Sequence, residues 1–145
     1  MIKAYTDGAC RGNPGPGGWG VLLSNDIREK EIYGGKLVTT NNQMELQACI
    51  EALRALKRPS EIMIITDSRY VINGCEIWMT NWKANGWRTA KGGAVANLSM
   101  WIELDRLLQT HKVTFQWVKG HSNDIYNDRA DALANLGCDA AIKGL

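Results

Sequence analysis

The sequence predicts an α/β protein in which a mixed sheet, part antiparallel and part parallel, is flanked by helices. Near the N-terminus, three strand-like segments follow one another with short links, which is typical of an antiparallel meander. Helical and strand-like segments then alternate, which is the pattern of parallel strands joined by helical crossovers. Two of the strands end on the same dipeptide, Thr-Asp, at residues 6–7 and 66–67.

Length and composition predict an ordinary globular protein. At 145 residues we expect a single domain over residues 1–145, which buries about two-thirds of its unfolded surface. The net charge of +2 is too small to indicate a partner. The four cysteines are widely spaced, which argues against a disulfide framework or a zinc site and suits a reducing cytoplasm. We find no signal peptide and no apolar run that could span a bilayer, so we expect no membrane partner.

The three N-terminal strands frame a glycine-rich loop. The first, residues 2–8, alternates apolar and polar side chains and ends on Asp7 followed by glycine. Residues 8–18 form a turn-rich loop whose glycines would allow a ligand to approach the backbone, although the composition also suits a long hairpin connection. Residues 19–24 and about 30–38 are predicted to be the second and third strands.

Helix signals divide the rest of the chain. Thr40 and Gln43 fit a capping box, in which Thr40 caps the helix and Gln43 reaches back to it. Pro59 marks the end of that helix. The later elements that we expect are a strand at about 61–66, a helix at about 68–78, a helix capped by Asn97, a strand at 113–118 and a helix from residue 127 or 128.

Acidic residues give the strongest indication of a functional site in the sequence. If the two Thr-Asp strands pair in parallel, Asp7 and Asp67 lie side by side, which is unfavourable unless a divalent metal lies between them. The alternative is that each aspartate caps the turn or helix that follows. Glu45 lies in the first turns of a helix, where the helix dipole alone favours an acid. Together with Asp131 these carboxylates favour magnesium or manganese over zinc, and two such ions can support phosphodiester hydrolysis.

A basic-aromatic segment, residues 77–102, carries no acid. Its only ionisable side chains are Lys83, Arg88 and Lys91, and four of the six tryptophans fall within it. Cations interleaved with aromatic rings suit a surface that grips a nucleic-acid backbone. The alternative is a solvated helix face and loop, with the tryptophans anchored in the core.

Several motifs, taken in order, closely resemble bacterial type 1 ribonuclease H. They are residues 6–18, 40–45, 66–71, 118–121 and 127–131. The resemblance implies the family's five-stranded mixed sheet, ordered 3-2-1-4-5, with strands 1–3 as the antiparallel meander. It also implies endonucleolytic hydrolysis of the RNA strand of an RNA–DNA hybrid, with 3′-hydroxyl and 5′-phosphate ends. We expect a monomer, and the cysteine usage favours a cytoplasmic location.

The resemblance also implies roles for single residues. Asp7, Glu45, Asp67 and Asp131 would hold two Mg²⁺ ions, with Mn²⁺ able to substitute. His121 matches the family's mobile histidine, which is linked to proton transfer and product release. The positions that match substrate contacts of the family are Cys10, Asn13, Thr40, Asn41, Asn42, Arg69, Asn73, Trp82, Lys83, Trp87 and Arg88.

Two departures from the family pattern concern substrate binding. Arg69 and Asn73 stand where the best-known members carry glutamines, so their contacts are expected to differ. The basic-aromatic segment also carries fewer cations than is common. We therefore expect weaker hybrid binding and a shallower dependence on salt, because fewer phosphates are neutralised.

Two other functions remain open from the residues alone. One is a DNA-acting nuclease of the same fold, against which the Asn13, Asn41 and Asn42 set argues, because amide side chains suit reading of 2′-hydroxyls. The other is a non-catalytic nucleic-acid-binding module with structural acids, which the intact carboxylate set disfavours.

Overall fold

The sheet has the predicted five strands. The computed structural model describes residues 1–120 and 124–144. The strands are β1 (Ile2–Cys10), β2 (Gly15–Ser24), β3 (Glu29–Thr39), β4 (Glu61–Thr66) and β5 (Lys112–Trp117). The helices are α1 (Asn41–Arg54), α2 (Arg69–Asn73), α3 (Met79–Ala84), α4 (Leu98–Thr110) and α5 (Ile125–Lys143), with a π-helical turn at Gly74–Trp78 between α2 and α3.

The strand order is β3-β2-β1-β4-β5, which confirms the predicted topology. The pairs β1–β2 and β2–β3 are antiparallel, whereas β1–β4 and β4–β5 are parallel. Tyr5 of β1 lies opposite Ile65 of β4. The acids two residues further along, Asp7 and Asp67, therefore reach the same edge of the sheet.

Helices cover the sheet on both faces, as the alternation along β1 requires. Ala4 belongs to the main core cluster with residues of α1, α4 and β4, whereas Tyr5 packs in a second cluster with Ala130 of α5. Helix α5 packs closely on β2 and β3. A side chain at Gly18 or Gly137 would collide with backbone atoms of the facing element, so glycine is required for this close approach.

The glycine-rich connection is shorter than the predicted loop. Strand β1 continues to Cys10 and β2 begins at Gly15, with Cys10 paired to Gly17. Antiparallel pairing therefore takes up much of residues 8–18, because the backbone of a glycine-rich segment can still join a ladder.

Only half of the predicted capping box forms at α1. The Thr40 hydroxyl accepts a hydrogen bond from the backbone N–H of Gln43 at 3.2 Å, as predicted. Gln43 does not reach back to Thr40. Its Oε1 instead accepts from the Thr39 hydroxyl at 2.8 Å, and its Nε2 donates to Asn97 Oδ1 at 3.1 Å. The Gln43 oxygen therefore has a different local donor, and its amide nitrogen binds a distant segment.

One predicted helix cap does not form, although α4 begins directly after Asn97 as predicted, and one predicted helix start is wrong. Asn97 precedes α4 in a left-handed conformation with φ of 60° and makes no side-chain cap, because its amide bridges Gln43 and the Tyr70 hydroxyl. Helix α5 begins at Ile125 rather than at residue 127 or 128. Asp124 caps it by accepting from the backbone N–H of Tyr126 at 2.9 Å.

The helix predicted at 68–78 is irregular and longer than expected. It passes through the π-helical turn and continues as α3 to Ala84. Gly74 opens that turn, and a side chain there would collide with the ring of Trp101. Within the described residues, no helix is long and apolar enough to cross a membrane.

Candidate metal centre and substrate cleft

Three carboxylates from three different elements meet at one edge of the sheet. Asp7 lies in β1, Asp67 directly follows β4, and Glu45 lies in the first turns of α1. One carboxylate oxygen from each lies within 4.8 Å of the other two. The parallel pairing of β1 and β4 brings the two aspartates together, as the repeated Thr-Asp ending predicted.

Glu45 is the deepest of the three acids. It is 5% exposed, and its Oε1 is buried without a hydrogen-bond donor among residues 1–120 and 124–144. A Cβ on Gly8 would lie 2.5 Å from the Glu45 backbone nitrogen, so the end of β1 can approach α1 only with glycine at this position. A buried carboxylate oxygen without a donor is costly unless a cation or a proton satisfies it.

The crowding raises two pKa values. Burial, the charge of Asp67 and a hydrogen bond with Asp131 together raise the pKa of Asp7 to about 8. Burial, followed by the charges of Asp7 and Asp67, holds the pKa of Glu45 well above its usual range. The backbone N–H of Gly8 donates to Asp7 Oδ1 at 3.0 Å and opposes the shift of Asp7 only in part.

The donor set fits a hard divalent cation. All three ligand groups are carboxylates, without sulfur or imidazole among the described residues of the cluster. A divalent ion would relieve the repulsion that raises the two pKa values and would satisfy the orphaned Glu45 oxygen.

The acidic cleft, as we call the cavity above these carboxylates, has a volume of about 380 Å³. Asp131 on α5 lines it and helps to raise the pKa of Asp7, which brings the fourth predicted acid to the same place. Three predicted substrate residues also line it, namely Asn41, Asn42 and Arg69. His121, for which we predicted proton transfer, lies outside the described residues.

The glycine-rich loop is tied to the start of α1 beside the cleft. Asn13 Oδ1 accepts from the backbone N–H of Asn41 at 2.8 Å. The Cys10 thiol donates to the backbone carbonyls of Thr39 at 3.4 Å and Gly15 at 3.6 Å. Four predicted substrate residues, Cys10, Asn13, Thr40 and Asn41, therefore form one connected group. Asn73, at the C-terminal end of α2, does not line the acidic cleft.

The basic-aromatic segment is separate from the acidic cleft, and its four predicted substrate residues have partners of their own. Lys83 Nζ lies 3.0 Å from Asp105 Oδ1. Trp82 and Trp87 pack, half-buried, against the main core cluster. Arg88 donates to the backbone carbonyl of Gly92 at 3.4 Å. None of these four predicted substrate residues lines the acidic cleft.

Two residues near the acids were missed by sequence reasoning. Asn127 lines the acidic cleft, and its buried Nδ2 has no acceptor among residues 1–120 and 124–144. Its position in the motif at 127–131 is the signal that could have identified it. Trp117, at the end of β5, donates from Nε1 to the Asp67 carbonyl at 3.1 Å. No local signal identifies Trp117, because its partners lie about fifty residues away in the chain.

Comparison with known proteins gives one family. The family model described as RNase H matches residues 1–139. The chain is 55% identical over 144 residues to a ribonuclease H of Verminephrobacter eiseniae, covering 98% of this chain and 93% of the relative. It is 54% identical over 141 residues to one of Bordetella pertussis, covering 97% and 91%.

Solved structures agree. LC9-RNase H1, described as a type 1 RNase H with the type 2 active-site motif, superimposes with a TM-score of 0.87 at 32% identity, over 97% of this chain and 72% of that one. LC11-RNase H1, solved in complex with an RNA/DNA hybrid, superimposes with a TM-score of 0.75 at 25% identity, over 98% and 99%.

Proposed function

The chain belongs to the ribonuclease H family, whose members are metal-dependent hydrolases of RNA in RNA–DNA hybrids, and we propose that it cuts the RNA strand of such hybrids endonucleolytically. The family predicted from the motifs is thereby confirmed. The expected products carry 3′-hydroxyl and 5′-phosphate ends. The hybrid bound to LC11-RNase H1 supports this choice of substrate.

The observation that carries the proposal is the meeting of Asp7, Glu45 and Asp67 within 4.8 Å at the floor of a cleft. We propose that these acids and Asp131 hold two Mg²⁺ ions when substrate is bound, with Mn²⁺ able to substitute. When bound, such ions activate a water molecule and neutralise charge on the leaving oxygen. Without a cation these acids would repel the phosphate backbone that has to enter the cleft.

The protein's own residues position the acids and the substrate. The Gly8 N–H orients Asp7, and the packing of β1 against α1 buries Glu45. Amide side chains at Asn13, Asn41 and Asn42 suit contacts to the 2′-hydroxyls by which RNA differs from DNA. Proton transfer and product release by His121 remain part of the proposal.

The other proposed substrate contacts are of different kinds. The Cys10 thiol and the Thr40 hydroxyl lie in the connected group beside the cleft, where Thr40 would contact a phosphate of the DNA strand. Asn73 would contribute a polar contact from α2. The remaining contacts are assigned to the cation of Arg69 and, in the basic-aromatic segment, to Trp82, Lys83, Trp87 and Arg88.

We also propose that the enzyme acts as a monomer in the cytoplasm. The four cysteines, Cys10, Cys49, Cys75 and Cys138, are all free thiols, which suits a reducing compartment. Size-exclusion chromatography with light scattering tests the oligomeric state.

Cleavage of an end-labelled RNA–DNA hybrid tests the function. We expect cuts in the RNA strand only, with Mg²⁺ present, and no cuts with a chelator or in Asp7→Asn. Cleavage of a DNA duplex would favour a DNA-acting nuclease. Binding of the hybrid without cleavage in any divalent metal would favour a non-catalytic module.

A further inference from the structure

Trp117 forms a platform under the turn that carries Asp67. Its indole N–H donates to the Asp67 backbone carbonyl at 3.1 Å, which fixes the ring against that turn. The guanidinium carbon of Arg69 lies 4.0 Å from the centroid of the same ring. Trp117 is 41% exposed and Arg69 is also exposed, so the stacked pair faces solvent at the rim of the acidic cleft, which Arg69 lines.

Stacking leaves the guanidinium able to bind a second group. The contact with the indole uses the face of the guanidinium, whereas its five N–H donors lie in its plane. Among the ion pairs of residues 1–120 and 124–144, none involves Arg69. The stack therefore orders a cation whose charge is not neutralised by an acid in the described part of the chain.

The Arg69 cation lies at the rim of a cleft that is lined with acidic side chains. Arg69 follows Asp67 by two residues and lines a cleft that Asp7, Glu45 and Asp131 also line. A nucleic-acid backbone that approaches those acids meets a repulsive field, and a fixed cation at the rim offsets it. Planar, bidentate donors match the oxygens of a phosphate better than the carbonyl and amide of a glutamine do.

We propose that Arg69 binds a backbone phosphate of the hybrid beside the acidic cleft, and that Trp117 is a positioning residue that holds Arg69 for this contact. The inference rests on the proposed function and makes it more specific. It assigns Arg69 a charge contact with the backbone, in place of a contact with a base edge or a sugar.

Four variants separate charge, stacking and the indole hydrogen bond. Arg69→Gln removes the charge, and Arg69→Lys keeps the charge but loses the planar fork. Trp117→Leu removes the platform, whereas Trp117→Phe keeps a ring but loses the N–H. The matched control is Arg106→Gln on α4, since Arg106 pairs with Glu103 and does not line the acidic cleft. Hybrid binding is titrated against salt in the Asp7→Asn background, so that the substrate stays intact.

We expect Arg69→Gln to weaken hybrid binding roughly tenfold at low salt. It should also lower the slope of log affinity against log salt by slightly less than one, the amount for one phosphate contact. Trp117→Leu should lose part of that affinity and Trp117→Phe less. The double variant Arg69→Gln/Trp117→Leu should be no weaker than Arg69→Gln alone, because the tryptophan acts through the arginine. Arg106→Gln should leave both affinity and slope unchanged.

Three results would overturn the inference. One is an unchanged salt slope in Arg69→Gln, which would indicate a sugar or base contact. Another is strict additivity of the two losses in the double variant. The third is a loss of affinity in Trp117→Phe as large as in Trp117→Leu, which would assign the effect to the Asp67 turn. A wild-type protein that neither binds nor cuts the hybrid would instead refute the proposed function.

Discussion

The acidic cleft and the basic-aromatic segment both carry candidate functional side chains, but within the described residues the acids of the cleft lack ion-pair partners, whereas the side chains of the segment have partners. In the cleft, Asp7 and Glu45 crowd against like charges, and one Glu45 oxygen is buried without a donor in the described residues. In the segment, Lys83 has Asp105 as a partner, and the Trp82 ring packs edge-on against Trp101 with centroids 5.4 Å apart. One region is left unsatisfied by the fold, and the other is largely satisfied by it.

Unsatisfied buried groups distinguish a reactive site from a structural one. Unpaired buried charge lowers the stability of the free protein, so it persists where a ligand compensates for it. A paired cation or a packed ring contributes to the fold whether or not a ligand is bound. Four substitutions or changes of condition test whether the two regions differ in this way.

The largest expected effect is that of Asp7→Asn. We expect cleavage of the hybrid to fall roughly a thousandfold or more, because a metal ligand is lost. The metal-free protein should become more stable, because a buried acid surrounded by like charges becomes neutral. Activity assays and thermal unfolding with a chelator measure the two effects. Asp26→Asn in an exposed turn is the matched control, and a destabilised Asp7→Asn variant would contradict the contrast.

The next effect is a pH dependence of the metal-free protein. The pKa of Asp7 rises from 3.8 to about 8 on folding, so the folded protein binds this proton more tightly than the unfolded chain does. Its stabilising contribution is complete below pH 3.8 and is lost as the pH rises towards 8. Glu45 acts in the same direction.

Chemical denaturation with a chelator should therefore give a free energy of unfolding lower at pH 8.5 than at pH 5, on the order of a few kcal/mol. Added Mg²⁺ should stabilise the protein more at the higher pH, where the acids are ionised. The same titration of Asp7→Asn should be flatter, and equal slopes in the two proteins would count against the burial of charge at Asp7.

Trp82→Ala tests the basic-aromatic segment. We expect the free energy of unfolding to fall by roughly 2–3 kcal/mol, since a half-buried ring leaves a cluster that includes Trp101. Hybrid affinity of the folded variant should change less than its stability does. A variant of unchanged stability that binds the hybrid poorly would show that Trp82 serves only the substrate and contributes nothing to the core.

The smallest effect is expected from Lys83→Met, which keeps the apolar stem. The Lys83–Asp105 pair is exposed on the lysine side, so stability should change by less than about 1 kcal/mol. Lys83 has to leave Asp105 before it can contact the hybrid, so its loss should lower the salt slope of hybrid binding by much less than one. A decrease of the slope by close to one would show that Lys83 exchanges Asp105 for a phosphate.

Much of the fold and the acidic site could be predicted from sequence because their signals are local or repeated. Alternating residues in β1, the Thr40 cap and the two Thr-Asp endings each depend on a few neighbouring residues. Once β1 and β4 pair in parallel, Asp7 and Asp67 must meet. Glu45 and Asp131 were also candidates from the residues, but only the family resemblance implied that they join the two aspartates, because no spacing rule brings them to the same edge.

Tertiary structure alone decided the contacts between segments distant in the chain. The amide of Asn97 could have capped α4, but packing offered it Gln43 and Tyr70. Arg69 could have extended freely into solvent, but β5 places the ring of Trp117 beneath it. A polar side chain can form its hydrogen bonds, and an aromatic ring its stacking contacts, with residues that are near or far in the sequence. The choice depends on which partner the finished core brings within reach, because hydrogen-bond and stacking energies fall off over a few ångströms.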